Sequence, residues 1–295
     1  MLDSTEATRT AAPAGARVRA AKPTDRDQVC DLIERHFDGI TRAEMQSLFD
    51  YHWSGSTRNY GLVIEAQGEV VGFVGTLYAD RTVNGRVERF CNITSLCVDP
   101  AFRAMAPLLI IAAARQKDVT VTCLSPSPIV CRILEKSGFT LLDSDRLFVP
   151  PAFNLRGLAR GLLRFDTDPD RIRPQLDEAQ RHILDDHIRY DCVPVLARRK
   201  DRHCLLIVKK RQRYHVPVSE ILYASDGEFL FRHTEAIAWR LLSLQRSCLL
   251  ACSRRLFGQD APVALILKRK SFFRSRSVAG QQIDNLYSEF VLLSI

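Results

Sequence analysis

Side chains able to do chemistry gather in two stretches of this 295-residue chain. The first begins at Glu88. Glu88, Phe90 and Asn92 alternate, so an extended strand puts all three on one face. That face carries a carboxylate with an amide beside it; the plainer reading of Glu88 is an ordinary exposed strand-edge glutamate. Farther on, Ser125, Ser127 and Cys131 add two hydroxyls and a thiol, each of which also suits a helix cap or a packed position. The second stretch, Asp284-Asn285-Leu286-Tyr287-Ser288-Glu289, lies near the end of the chain. Tyr287 and Glu289 share a face there and are candidates to line an acceptor pocket; the plainer alternative is an ordinary final strand. The nine cysteines are odd in number and mostly embedded in apolar runs, the pattern of buried free thiols. Neither CxxC nor HExxH occurs, so no metal site is expected.

The elements that must hold these groups alternate between strand and helix. Arg17 to Ala21 reads as a short strand. A helix follows, capped by Thr24 or Asp25, with Val29, Leu32, Ile33 and Phe37 on one face. Arg42 to Tyr51 reads as a second helix. Strands are predicted over Tyr60 to Ala66 and Val70 to Tyr78, turned by Gln67-Gly68. Asn84-Gly85 is a strong hairpin signal, since a type I′ turn needs positive φ at both central residues. It leads into a strand ending at Val98. Pro100 suits the first position of the next helix, Val119 to Leu124 reads as a strand, and Ser127-Pro128 opens a helix that Gly138 ends. Thr140 to Val149 is predicted as one closing strand. Leu155 to Leu163 has a basic amphipathic pattern, and Asp177 to Ile188 reads as a helix. Strands are then expected at Cys204 to Lys209, Ser219 to Ala224, Ser247 to Cys252, Val263 to Lys268 and Leu286 to Leu293, with a helix over Glu228 to Leu244. The strand–helix–strand order of the first half recurs about 127 residues later, an internal repeat.

Length allows two domains of ordinary size. The division read here is a flexible 1–16, a first domain at 17–149, a linker at 150–176 and a second domain at 177–295. No apolar run is long enough to span a bilayer, and the alanine- and threonine-rich beginning lacks the apolar core of a signal peptide; a cytoplasmic location is expected. The net charge of +8 belongs to the second half. Residues 1–149 carry 17 Lys+Arg against 18 Asp+Glu, and residues 150–295 carry 25 against 16. Clusters fall at 198–202, 209–211 and 268–270. They form either a face for an anionic partner or solvated strand ends. Without aromatic interleaving or a helix-turn-helix pattern, nucleic acid is not the expected partner.

Cys91-Asn92-Ile93-Thr94-Ser95-Leu96-Cys97-Val98-Asp99-Pro100, then Arg103-Ala104-Met105-Ala106, then Ile133-Leu134-Glu135-Lys136-Ser137-Gly138-Phe139 resemble the acyl-CoA-binding core of the GCN5-related N-acetyltransferase superfamily. The resemblance covers 17–149 and, faintly, 200–295. It implies an α/β (α+β) fold with a mixed, mostly antiparallel central sheet flanked by helices, in two tandem copies. It also implies acetyl-CoA or another acyl-CoA as co-substrate, lying where the fourth strand splays from the fifth. Leu96, Cys97 and Val98 would line that gap, where a strand N–H polarises the thioester carbonyl. The pyrophosphate would rest on helix-terminal N–H groups of the loop that here carries Arg103, Ala104, Ala106 and Leu108, with Pro107 removing one donor. Ser127 and Cys131 would lie near the cofactor. Asn92 stands where some members place a base glutamate, Glu88 being the substitute, and Leu134 stands where a tyrosine acid is common. The expected activity is acyl transfer to an amine, with a hydroxyl as second choice, on an unidentified acceptor. The alternative is a catalytically degenerate binding or scaffold protein.

Overall fold

The computed structural model describes residues 15–294 apart from 54, 56, 58, 150–162, 214, 258–261 and 263. The amphipathic segment at 155–163 therefore lies almost wholly outside the described residues. Two seven-stranded sheets dominate. The strands are β1 (Arg17–Ala20), β2 (Gly61–Ala66), β3 (Glu69–Val83), β4 (Arg86–Val98), β5 (Thr120–Cys123), β6 (Thr140–Asp143), β7 (Arg146–Val149), β8 (Arg164–Asp166), β9 (Cys192–Arg199), β10 (Arg202–Arg213), β11 (Val216–Ala224), β12 (Leu249–Ser253), β13 (Leu265–Leu267) and β14 (Lys270–Arg274). The helices are α1 (Arg26–His36), α2 (Arg42–Asp50), α3 (Ala106–Ala114), α4 (Pro128–Lys136), α5 (Pro169–Ile172), α6 (Glu178–His187), α7 (Gly227–Arg232), α8 (Thr234–Gln245) and α9 (Glu289–Leu292).

One sheet runs β1-β2-β3-β4-β5-β14-β6 and the other, taken from its far edge, β8-β9-β10-β11-β12-β7-β13. The two orders are the same. Among the described residues each holds a single parallel pair, β4 with β5 and β11 with β12. Each also takes its sixth strand from the other half of the chain. The predicted strand at Thr140 to Val149 is in fact two. It breaks at Ser144-Asp145; β6 stays in the first sheet and β7 crosses to pair with β12 and β13. In return β14 enters the first sheet between β5 and β6.

Local signals explain most of these elements. Asn84 and Gly85 both have positive φ, +51° and +75°, as the hairpin turn requires. Thr41 and Glu44 form a capping box that starts α2, and the Asp177 side chain caps α6. In α1, Val29, Leu32 and Ile33 are buried on one face. The predicted final strand is absent. Residues 286–288 form bends, and a single helical turn, α9, follows with Ser288 as its cap. Every residue from Leu286 to Leu293 is nevertheless buried, because this segment runs between the two sheets. It joins one apolar cluster with Trp53, Phe73 and Phe90 of the first half and with Ile207 and Leu222 of the second.

The basic clusters divide. Lys210 is exposed, but Lys209 and Arg211 point inward. The Lys209 ammonium donates to the Val291 carbonyl, and Arg211 donates to the carbonyls of Phe290 and, at 2.8 Å, Leu293. Arg211 also meets Glu220, which pairs with Arg146 of the exchanged strand β7 at 2.5 Å. Two members of the charged tract therefore anchor the C-terminal segment instead of facing solvent. No helix among the described residues is long and apolar enough to cross a membrane.

Candidate functional site

Strand β4 is irregular toward its C-terminal end. It pairs with β5 only from Phe90↔Thr120 to Asn92↔Thr122. Beyond that point β4 continues to Val98, while β5 ends at Cys123. The β5-facing backbone groups of Ile93 to Val98 have no strand partner there. On its other edge β4 bulges against β3, where Gly75 opposes Thr94 and Phe73 opposes Cys97. Ser95 sits in the bulge at φ +52°, turning the strand away from β5 as bulges do. Gly75 accommodates the kink; a Cβ there would lie 3.1 Å from Thr94 Cγ2.

The two diverging strands enclose a mainly apolar cavity of about 100 Å³. Ile93, Thr94, Ser95 and Leu96 form one wall, Cys123 and Ser125 to Ser127 the other, and Leu293 also lines it. Thr94 Oγ1 and Ser95 Oγ lie 3.2 Å apart on the β4 wall. Helix α4 abuts the opposite wall. Its Ser127 cap position makes no side-chain capping bond, Cys131 is buried, and Leu134 is fully buried in the core beneath.

A carboxylate lies behind the gap. Glu289 is fully buried. Its Oε1 accepts a 2.5 Å hydrogen bond from Ser125 Oγ, a hydroxyl on the cavity wall. Its backbone N–H donates to Asn92 Oδ1 at 3.4 Å, and Asn92 Nδ2 donates to Thr122 Oγ1 at 3.1 Å. Burial pushes its carboxyl above the ordinary range, against the opposing hydrogen bonds from Ser125 and the Asn92 side chain and the more distant charge of Arg211.

The second sheet has the same divergence and a different filling. β11 and β12 pair from Val218↔Leu249 to Ile221↔Cys252, and β11 continues to Ala224. A 3₁₀ turn, Arg254–Phe257, follows β12 directly and packs on α7. Gly227 lies so close that a Cβ would stand 2.4 Å from the Leu256 carbonyl oxygen. Arg202 reaches Asp226 at 2.7 Å and Glu228 at 3.3 Å.

Neither a family model nor a curated relative matches the sequence. Solved structures do. A GCN5-related N-acetyltransferase from Anabaena variabilis superposes with a TM-score of 0.55 at 12% identity, over 88% of this chain and 72% of that one. One from Kribbella flavida gives 0.55 at 14% identity, over 88% and 70%. The glucosamine N-acetyltransferase region of a fungal multi-domain GH3 beta-N-acetylglucosaminidase gives 0.60 at 16% identity, over 89% of this chain but 38% of that one. The chain has the GCN5-related N-acetyltransferase fold. Both sheets repeat its arrangement, with the gap between the fourth and fifth strands of each copy.

On this acetyltransferase fold the sequence-derived candidates separate. Leu96 lines the first gap. Cys97 and Val98 are buried on either side of the strand, Cys97 in the central cluster and Val98 under α3. Burial drives the Cys97 thiol well up. Arg103, Ala104 and Leu108 are exposed at the start of α3. That helix is entered through a 3₁₀ turn, Pro100–Met105, and the Ala106 N–H donates to the Arg103 carbonyl. With Pro107 lacking an N–H, two donors of a pyrophosphate loop are unavailable to an anion. Glu88 lies four residues from Asn92, before β4 meets β5, and accepts from Ser277 Oγ at 2.7 Å; it is far from the gap. Tyr287 and Glu289 do not share a strand face, because the strand is absent. Tyr287 (φ +55°) turns instead into the seam between the halves. It packs edge-on to His187 and Trp53, and its N–H donates to His187 Nε2 at 3.4 Å. His187 Nδ1 in turn bonds the Ile183 carbonyl at 2.7 Å, which fixes the neutral tautomer. Burial lowers the His187 pKa to about 3. The sequence argument missed Ser125 as a partner of Glu289. The two are 164 positions apart, and no local pattern links them.

Proposed function

We propose that this protein is an acyl-CoA-dependent acyltransferase that uses the gap between β4 and β5 of the first sheet, with an amine as acceptor. The observation that carries this reading is the bulged, unpaired end of β4 facing the cavity. Its free backbone groups suit a pantetheine amide and a thioester carbonyl, which a strand N–H would polarise. A cavity of about 100 Å³ equals roughly three waters of liquid volume, which suits the thioester end and a short acyl group such as acetyl. Leu96, Cys97 and Val98 supply the strand, and Ser127 and Cys131 the facing helix. Arg103, exposed in the turn that leads into α3, would meet the pyrophosphate as a charge, in place of the donors lost at Ala106 and Pro107. The glucosamine N-acetyltransferase named among the similar structures supports an amine acceptor. We assign residues 17–149 to the first copy of the fold and, because β8 (Arg164–Asp166) is the first strand of the second sheet, start the second copy at 164 instead of the expected 177; the two are also joined by the exchange of β7 and β14.

Calorimetric titration with acetyl-CoA tests this reading. Saturable binding is expected, with Arg103→Glu weakening it at least tenfold (about 1.4 kcal/mol) by placing a carboxylate beside the pyrophosphate. Absence of binding to acetyl-CoA and longer acyl-CoAs would sink the enzyme reading. It would favour the second one, a non-catalytic binding protein, for which the buried Leu134 and the Ala106-Pro107 turn already speak.

A further inference from the structure

We infer that Ser125 and Glu289 form a proton relay for acyl transfer in the first gap, with the hydroxyl touching the acceptor amine and the buried carboxylate holding the proton. This rests on the acyl-CoA reading of that gap. Three observations carry it. Ser125 lies on the cavity wall opposite Thr94 to Leu96, where an attacking amine would approach a thioester carbonyl. Its hydroxyl hydrogen is already directed at Glu289 Oε1, 2.5 Å away. Glu289 is sealed from solvent, yet among the described residues its carboxylate forms no ion pair. A buried carboxylate without a counter-ion costs stability. In the same core Glu220, by contrast, meets Arg146 and Arg211.

The position gives the relay its logic. Asn92 occupies the point on β4 next to the gap, and an amide cannot take a proton. The backbone of Glu289 docks on that amide, so the C-terminal segment delivers a carboxylate to the place where the strand has none. In the reaction the amine nitrogen attacks the thioester carbon and the C–S bond breaks, its electron pair leaving on sulfur. The amine proton passes to Ser125 Oγ as the Ser125 proton passes to Glu289 Oε1. Reversal of the relay toward the departing thiolate yields the amide and free CoA thiol, and restores both side chains. The charged and titratable groups facing Glu289 are Arg211, whose cation favours the carboxylate, and the Cys123 thiol, which the carboxylate itself pushes up. A carboxyl held above its ordinary range is a better base than an exposed one. It is protonated, and the relay blocked, on the acid side of its raised pKa.

The test compares wild type, Glu289→Gln and Ser125→Ala by acetyl-CoA calorimetry and by thiol release with lysine, glucosamine and butylamine as acceptor probes. Glu289→Gln is nearly isosteric and can still accept from Ser125, and Ser125→Ala removes the hydroxyl together with its hydrogen bond to Glu289. Both variants are expected to bind acetyl-CoA like wild type and to lose about 10²-fold or more in kcat, and Glu289→Gln also loses the acid limb of the pH–rate profile. Unchanged kcat in either variant, an unchanged acid limb in Glu289→Gln, or an acyl group found covalently on Ser125 would overturn the relay and leave the acyl-CoA site standing. No thiol release from a wild type that binds acetyl-CoA would do the same. A wild type that does not bind acetyl-CoA overturns the underlying reading, and the relay with it.

Discussion

The gap between β4 and β5 and the gap between β11 and β12 start from the same geometry and end differently. In each, a parallel pair separates after three or four residues of register. Beyond the first pair the chain runs through Ser125-Pro126-Ser127 before helix α4 begins, leaving a cavity. Beyond the second it turns at once into Arg254–Phe257, and Gly227 is drawn against the Leu256 carbonyl. The difference shows what a repeated fold can do with a duplicated gap. One copy keeps it open as a cavity, and the other fills it with backbone and holds a buried ion-pair cluster. The second sheet also holds Glu220 between Arg146 and Arg211, which ties β7, β11 and β10 together and reaches the carbonyls of the C-terminal segment. That segment delivers Glu289 to the first gap. The closed copy therefore supports the open one.

Four substitutions or conditions would break or sharpen this contrast. Glu220→Ala should have the largest effect, because it leaves two buried guanidinium groups without their carboxylate. A loss of about 3–5 kcal/mol is expected, read as a lowered urea midpoint, with acetyl-CoA affinity of the folded fraction unchanged. Acid should act next, at the seam between the halves. The unfolded chain protonates His187 near its ordinary 6.5, whereas the folded chain holds the ring neutral down to about 3. Between those values the unfolded state binds more protons, so stability falls as pH drops, by up to roughly 1.4 kcal/mol per pH unit. His187→Gln should flatten that slope in urea titrations between pH 6.5 and pH 4. Gly227→Ala should cost about 1–3 kcal/mol by forcing the filled gap apart, with no change in acetyl-CoA binding. Leu96→Trp should do the reverse. It fills the open gap from a partly exposed position, so it should weaken acetyl-CoA about tenfold or more while leaving the urea midpoint nearly unchanged.

What the sequence made legible follows from range. Asn84-Gly85 and Gly138 act within a few residues, and the hairpin and helix end they predict are present; Pro100 instead opens a 3₁₀ turn, with α3 starting at Ala106. The repeat was visible because the strand–helix–strand order recurs. The exchange of β7 and β14 was not, since a strand's partner leaves no mark on its own alternation. Thr140 to Val149 reads as one apolar run, although Ser144-Asp145 carries the chain from one sheet to the other. The segment from Leu286 to Leu293 misled for a related reason. Apolar residues buried on all sides between two sheets look like a core strand, and periodicity cannot separate the two. Glu289 was picked out as a site residue from its place beside Tyr287, but its placement against Asn92 and Ser125 depends on Lys209 and Arg211 gripping the carbonyls that follow it.

The central claim is that one copy of the fold keeps an acyl-CoA site and the other has given it up. The stoichiometry of acetyl-CoA binding to the full chain, measured by isothermal titration calorimetry, tests it most directly. The account predicts one site per chain; two sites, or none, would contradict it.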